Sequence, residues 1–162
     1  AQQLFDSENM AELAAFCTGS WATSAETNAG SGSWEAAACR CLQDLEILEP
    51  DWLALLKQWE QAPELPGFAP QDPEKLERIA VYFAFRYLLK AVNDGDLLGR
   101  AQFCALGVLV TDRLSRFVGL PEALRLFSRE IEHNGDNLDT LLEQFWQTEG
   151  LSLSALLAAF GG

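Results

Sequence analysis

The sequence is poor in basic residues. Lysine and arginine together number 11, against 24 aspartate and glutamate residues, which gives a net charge of −13. Most of such a surface would repel a phosphate backbone or an anionic membrane, so we expect neither nucleic acid nor membrane as a partner. A surplus of acid would instead attract cationic partners, and lysine-rich protein segments are the obvious class, although acid also serves solubility alone.

Cysteine and histidine are also scarce, with four residues and one. The cysteines Cys17, Cys39, Cys41 and Cys104 have no regular spacing, and a chain of 162 residues buries enough core to fold without disulfides. We therefore expect reduced cysteines and a cytoplasmic protein. Cys39 and Cys41 are two apart in a predicted helix, where side chains point to nearly opposite faces, which disfavours a shared metal or iron–sulfur cluster.

The sequence has no apolar run long enough to cross a bilayer. The longest runs, 79–85 and 101–111, are followed by charged residues such as Arg86 and Asp112. The N-terminus lacks a basic segment followed by an apolar core, so we expect no signal peptide. The first residue is Ala1 and not methionine, from which we expect the chain to be part of a longer protein.

Hydrophobic periodicity predicts an all-α fold. Apolar residues recur at helical spacing in nearly every segment, and no segment has the alternation of a half-buried strand. We expect a compact multi-helix bundle, one domain over 1–162, built around a central helical hairpin of about 73–92 and 96–118. The small-residue stretch 23–33 is predicted to be a flexible loop, and the proline-rich stretch 62–73 an extended linker.

Residues that commonly cap or start helices predict where the helices begin and end. Gly95 and Asp96 are expected to end one arm of the hairpin and cap the other. Further helix starts are predicted at Ser33, Pro50, Asp72, Gly119, Asp136 and Ser152. The helix after Ser33 is expected to reach almost to Pro50 with Leu48 inward, and Trp146 is expected to face inward from the helix after Asp136.

The first arm of the hairpin contains IAVYFAFRYLLKAV, which is apolar on nearly every side. This pattern predicts a central helix surrounded by others. Ala80, Ala84 and Ala91 on this arm are expected to face small residues of the return arm, where two helices can approach closely.

Arg86 is a permanent charge within this apolar helix. A buried guanidinium needs a carboxylate partner, and the candidates are Asp94, Asp96, Glu130 and Glu132. Two interpretations stay open: an internal ion pair that fixes the helix register, and a contact with a substrate or cofactor.

The only histidine, His133, follows Glu130 in a Glu-x-x-His pair. Such a pair is half of the pattern that builds di-iron sites in helical bundles, but the chain has no second copy, so we expect no metal there. A histidine at a helix end is also favoured by the helix dipole, and His133 lies away from the apolar side of its helix. It is expected to be available to solvent or to a partner.

Two other features are candidate binding elements. The sequence NDGD, which contains Asp94 and Asp96, lacks the spacing of a calcium-binding EF-hand loop and is typical of a turn. Trp21 and Trp34 flank the predicted flexible loop, where both rings could contribute to a binding surface.

Two long stretches resemble the C-terminal half of the flagellin lysine-N-methylase family. They are ERIAVYFAFRYLLKAVNDGDLLGRAQFCALGVLV, residues 77–110, and RLFSREIEHNGDNLDTLLE, residues 125–143. The family pattern has a Tyr-Phe-x-x-Arg helix, an Asp-Gly-Asp turn and a later Ser-x-Glu-Ile-Glu-His segment. The matching residues are Tyr82, Phe83, Arg86, Asp94, Gly95, Asp96, Ser128, Glu130, Ile131, Glu132 and His133. CRCLQDLEILEPDWLALL, residues 39–56, resembles a weaker upstream continuation.

The resemblance implies a cytoplasmic enzyme that transfers methyl groups from S-adenosylmethionine to flagellin lysines, of which this chain is a helical C-terminal domain. The cysteine-rich N-terminal segment of that family does not occur in this sequence, so no iron–sulfur cluster is expected here. The family motifs carry no established catalytic residue. We therefore expect a supporting or substrate-recognition domain, with flagellin or another lysine-containing protein as its partner.

Two function hypotheses follow. In the first, carboxylates near the substrate lysine attract its ammonium group and help to remove a proton, with Glu130, Glu132, His133 and Arg86 as catalytic candidates. The candidates for substrate binding are Asp94, Asp96, Tyr82, Trp21 and Trp34. In the second, the chain is a non-enzymatic acidic helical module that binds a protein partner through its acidic face or through the region from Trp21 to Trp34.

Overall fold

The structure is a computed structural model that describes residues 34–61 and 73–160. It confirms the predicted all-α, multi-helix fold. The helices are α1 Trp34–Gln43, α2 Pro50–Gln61, α3 Pro73–Tyr87, α4 Ala91–Asp94, α5 Leu97–Val118, α6 Leu120–Phe127, α7 Gly135–Phe145 and α8 Leu153–Ala158. The 3-10 turns Leu88–Lys90 and Glu149–Leu151 and the π turn Ser128–Glu132 connect some of them. The predicted loop at 23–33 and the linker up to residue 72 lie outside the described residues.

The predicted helical hairpin is present. Its first arm is α3 with its continuation to Asp94, and its second arm is α5, along which α3 packs. Gly95 reverses the chain with a φ of 75°, in the left-handed region that favours glycine. The Asp96 carboxylate then accepts a hydrogen bond from the amide of Gly99 at 2.9 Å and caps α5.

The central helix of the bundle is α5, not α3. Fifteen of its 22 residues are buried, and α3, α6 and α8 all pack against it. Only Ile79, Phe83 and Tyr87 are buried in α3. The prediction that α3 is surrounded by other helices is therefore wrong for the part of the chain that the structure describes.

The second apolar side of the first arm is exposed. Val81, Phe85, Leu89 and Val92 have exposed fractions of 50%, 73%, 60% and 86%. We call these four residues the outer apolar face. They follow one another at spacings of four, four and three residues along the first arm, which runs from α3 through the 3-10 turn Leu88–Lys90 into α4.

The two arms are closely packed at Gly107. A Cβ atom at this position would lie 2.9 Å from Cζ of the Phe83 ring, which is fully buried. The expected contact through alanines is wrong in part, because Ala80 on α3 is exposed. Phe83 fills the space above Gly107 instead, and its ring also packs edge-on against Phe103 and Phe127.

Several predicted helix ends and orientations are wrong. α1 ends at Gln43, and Leu48 is 46% exposed, because the amides of Glu46, Leu48 and Glu49 bond to the side chains of Asn137 and Glu130 and do not continue the helix. Asn134 caps α7 in place of Asp136. Trp146 is 54% exposed, just beyond the end of α7.

Pro50, Gly119 and Ser152 mark helix starts as predicted. Within the described residues, no helix combines the length and the apolar character that a membrane crossing requires.

Gly107→Ala tests the close contact between the hairpin arms. The added methyl group meets the buried Phe83 ring, so we expect the free energy of unfolding to fall by about 1–3 kcal/mol in urea denaturation. Gly135→Ala is the matched control, because a Cβ atom there meets nothing within 4 Å. An equally small effect of both substitutions would contradict the packing described here.

Candidate functional site

The two long stretches that carry the methylase resemblance meet at Glu132. Its Oε1 atom accepts hydrogen bonds from the hydroxyl groups of Tyr82 and Tyr87, each at 2.8 Å. The Glu132 side chain is only 5% exposed. A carboxylate that leaves water needs such donors, and these two come from α3, 50 and 45 residues away in sequence.

Arg86 also belongs to this group. The sequence predicted a buried guanidinium, and this prediction is wrong. Its side chain is 44% exposed, and its Nε atom lies 3.2 Å from the Tyr87 hydroxyl oxygen and 3.5 Å from Oε1 of Glu132. The guanidinium carbon lies 5.9 Å and 5.8 Å from the ring centres of Tyr82 and Tyr87. Of the four expected carboxylate partners, Glu132 is the one that pairs with Arg86. We call Tyr82, Arg86, Tyr87 and Glu132 the tyrosine–carboxylate network.

The network keeps both phenols in their neutral form. Burial raises the pKa of Tyr87 well above its ordinary value, and the hydrogen bond to Glu132 raises it further, while Arg86 acts in the opposite direction. Burial and the bond to Glu132 also raise the pKa of Tyr82. Both hydroxyl groups therefore remain donors to Glu132 at neutral pH.

Glu130 lies two residues earlier and points to a different part of the molecule. Its side chain is fully buried. Its Oε2 atom accepts the amide hydrogen of Leu48 at 3.0 Å, and Oε1 accepts that of Glu49 at 2.6 Å. These amides directly precede α2, so the carboxylate sits at the positive end of that helix dipole.

Asn137 supports Glu130 from the first turn of α7. Its amide nitrogen donates to the carbonyl oxygens of Glu46 and Glu130, each at 2.8 Å, and its Oδ1 atom accepts the amide of Glu46 at 3.0 Å. Sequence reasoning missed Asn137. A signal was present, because it lies four residues before Leu141 on the inward side of an amphipathic helix, where a polar residue needs partners.

The two carboxylates of the π turn, Glu130 and Glu132, bond to different elements. The amide of His133 bonds to the carbonyl of Ser128, five residues earlier, at 2.9 Å. Residues two apart on a helical turn point in nearly opposite directions, so Glu130 reaches the segment before α2 and Glu132 reaches α3. π turns of this kind are frequent at functional sites. His133 itself is exposed, as expected.

Asp94 and Asp96 are part of the hairpin turn. Asp94 pairs with Arg100 at 2.6 Å and also accepts the amide of Asp96 at 3.0 Å. Burial acts to raise the pKa of Asp94, but these hydrogen bonds outweigh it, and the net effect is a lowered pKa. Asp96 is occupied as the cap of α5. Both carboxylates therefore stabilise the turn that the sequence predicted.

Trp34 takes part in packing. Its ring centre lies 5.8 Å from that of Trp59, and the guanidinium of Arg113 lies 5.9 Å above it. Arg113 also pairs with Glu35 at 2.8 Å. Trp21, the other tryptophan expected in a binding surface, lies outside the described residues.

The cysteines that the structure describes are buried thiols. Burial raises the pKa of Cys39 and of Cys104 to about 12, so both are neutral at physiological pH. A thiolate is the form that binds metal. Among the residues at 34–61 and 73–160, no group of histidine, cysteine, aspartate and glutamate side chains could hold a metal ion.

Two open depressions lie on the surface of the described residues. One, of about 380 Å³, lies between α5 and the segment after α7, and Gln102 on its wall donates a hydrogen bond from its amide nitrogen to the Leu151 carbonyl at 2.9 Å. A second depression of about 310 Å³ is lined by Glu74, Glu77, Arg78 and Val81 on the surface of α3.

The chain matches no protein-family model, no curated protein and no solved structure. The relation to flagellin methylases therefore rests on the motifs and stays a prediction.

Glu130→Ala tests the attachment of the segment before α2. The change leaves the amides of Leu48 and Glu49 without their acceptor in a part-buried position, so we expect a loss of about 3 kcal/mol of unfolding free energy. Hydrogen exchange should accelerate most at these two amides. Glu143→Ala, at an exposed position on α7, is the control and should change stability by less than about 0.5 kcal/mol. Unchanged exchange at both amides would contradict the assignment.

A tyrosine titration tests the network directly, because Tyr82 and Tyr87 are the only tyrosines of the chain. Their folded-state pKa values are raised above the ordinary 10.0. Tyrosinate absorbance should therefore appear at higher pH in the folded protein than in denaturant. The stability that these phenols contribute is complete below pH 10 and is lost as the pH rises through their folded pKa values.

Glu132→Gln supplies the comparison for this titration. It removes the negative charge that raises both pKa values, so tyrosinate should form at a lower pH than in the unchanged protein. Identical titration curves for the two proteins would show that Glu132 does not act on the phenols.

Proposed function

We propose that the chain is a non-catalytic helical domain of a larger, cytoplasmic, S-adenosylmethionine-dependent enzyme that methylates lysines of flagellin. In that enzyme it supports the catalytic part or binds the substrate protein. The observation that carries the proposal is the contact between residues of the resemblance motifs. Tyr82, Arg86 and Glu132, which belong to two separate motifs of the resemblance, meet in one polar network.

The positions of the carboxylates favour a supporting role over catalysis. A general base must reach the proton that it removes, either directly or through one water. Glu130 is fully buried and bonds to two backbone amides, and Glu132 is 5% exposed and bonds to two phenols. Neither of them presents a free carboxylate to a substrate lysine.

The weaker upstream stretch of the resemblance also contacts the motif residues. The stretch 39–56 contains the segment 46–49, whose backbone bonds to the side chains of Glu130 and Asn137. All three stretches of the resemblance are thus joined by polar contacts. This is what a shared family architecture would require, and it supports the proposal.

A second candidate function is a protein-interaction module without any enzyme. The outer apolar face favours it, since Phe85 is 73% exposed and Val92 is 86% exposed. Contiguous apolar residues on the surface of a protein commonly mark a site of association. The same surface would also serve the domain within a methylase.

Deleting the codons for residues 73–160 from the chromosomal gene tests the first proposal. Because the domain supports the catalytic part or the substrate contact, flagellin lysines should lose their methyl groups in mass spectrometry, and the intact gene supplied on a plasmid should restore them. The amount of flagellin should not change. Full methylation in the deletion strain would overturn the methylase proposal and leave the interaction module.

A further inference from the structure

The outer apolar face is long enough to seat a helix. From Val81 to Val92 there are 11 residue steps, which is about 16 Å along a helix. A helix that is apolar on both sides is normally covered on both, and α5 covers only the side with Ile79, Phe83 and Tyr87. The face is therefore suited to association with another apolar surface.

The charges around this face differ from those of the whole chain. The whole first arm, residues 73–94, contains four basic side chains, Lys75, Arg78, Arg86 and Lys90, and three acidic ones, Glu74, Glu77 and Asp94. Its formal charge is therefore +1, in a chain with a net charge of −13. The arm that carries the face is thus less acidic than the chain as a whole.

Two of the cations are held in position beside the face. Arg86, whose side chain is 44% exposed, is held by the contacts of its Nε atom with the Tyr87 hydroxyl and the Glu132 carboxylate. The ammonium group of Lys90 lies 5.1 Å from the centre of the Tyr87 ring. Ordering of these side chains lowers the entropy cost of binding an anion.

We infer that the outer apolar face binds an acidic amphipathic helix of a partner protein. The apolar side of that helix would cover Val81, Phe85, Leu89 and Val92, and its carboxylates would pair with Arg86 and Lys90. A second copy of the chain is a poorer occupant, because the two faces would bring like charges together. The inference rests on the protein-binding role proposed above and defines the chemistry of the partner.

Binding of two synthetic helical peptides to the 162-residue chain tests the inference. Each has about 18 residues, enough to cover the face, and the same leucine stripe. One carries glutamate and the other lysine beside the stripe. In fluorescence anisotropy the acidic peptide should bind about tenfold or more tightly than the basic one, and added salt should weaken it.

Substitutions on the face locate the binding site. Phe85→Asp and Val92→Asp should each weaken the acidic peptide about tenfold or more, and both positions are exposed enough for the variants to fold. Lys90→Gln should weaken it severalfold and reduce its salt dependence. Trp146→Asp is the matched control, an exposed apolar residue elsewhere, and should leave the affinity unchanged.

Three results would overturn the inference. The first is equal binding of the two peptides, or binding that Phe85→Asp and Val92→Asp do not change. The second is self-association in sedimentation analysis that Phe85→Asp abolishes, which would make a second copy the occupant. The third is peptide binding that appears only after deletion of residues 1–33, which would make the chain's own N-terminal segment the occupant.

The peptide result and the methylation result are independent. If the peptide binds as expected but flagellin remains methylated in the deletion strain, the surface is correct and the methylase proposal is wrong. If methylation is lost but neither peptide binds, the inference about the partner is wrong.

Discussion

The structure depends on the burial of two carboxylates in one π turn. A carboxylate removed from water costs several kcal/mol unless donors replace the lost hydration. Glu130 obtains the amides of Leu48 and Glu49, and Glu132 obtains the hydroxyl groups of Tyr82 and Tyr87. The turn therefore fixes the start of α2 on one side and α3 on the other.

This constraint explains why helix α1 stops at Gln43. The backbone groups at 46–49 would bond within a helix if α1 continued, but they bond to Glu130 and Asn137 instead. Local sequence cannot reveal such a competition, because the acceptors lie more than 80 residues further along the chain. The all-α class, the hairpin and its Gly95–Asp96 turn follow from local patterns and were predictable.

The residues of the candidate site were easier to predict from the sequence than their geometry. The motifs identified Tyr82, Arg86 and Glu132, and the need of Arg86 for a carboxylate indicated that two helices meet. The sequence did not indicate that Arg86 is exposed. Its helix is apolar on two sides, which predicts burial, yet only one side packs against the described residues. Periodicity alone does not indicate that the second side is exposed.

The central claim is that the motif carboxylates hold the architecture together. A double-mutant cycle with Tyr87→Phe and Glu132→Ala, measured as the free energy of unfolding, tests it most directly. Because Tyr87 donates to a carboxylate that is 5% exposed, we expect a coupling energy of about 1 kcal/mol or more between the two substitutions. Effects that add without any coupling would contradict it.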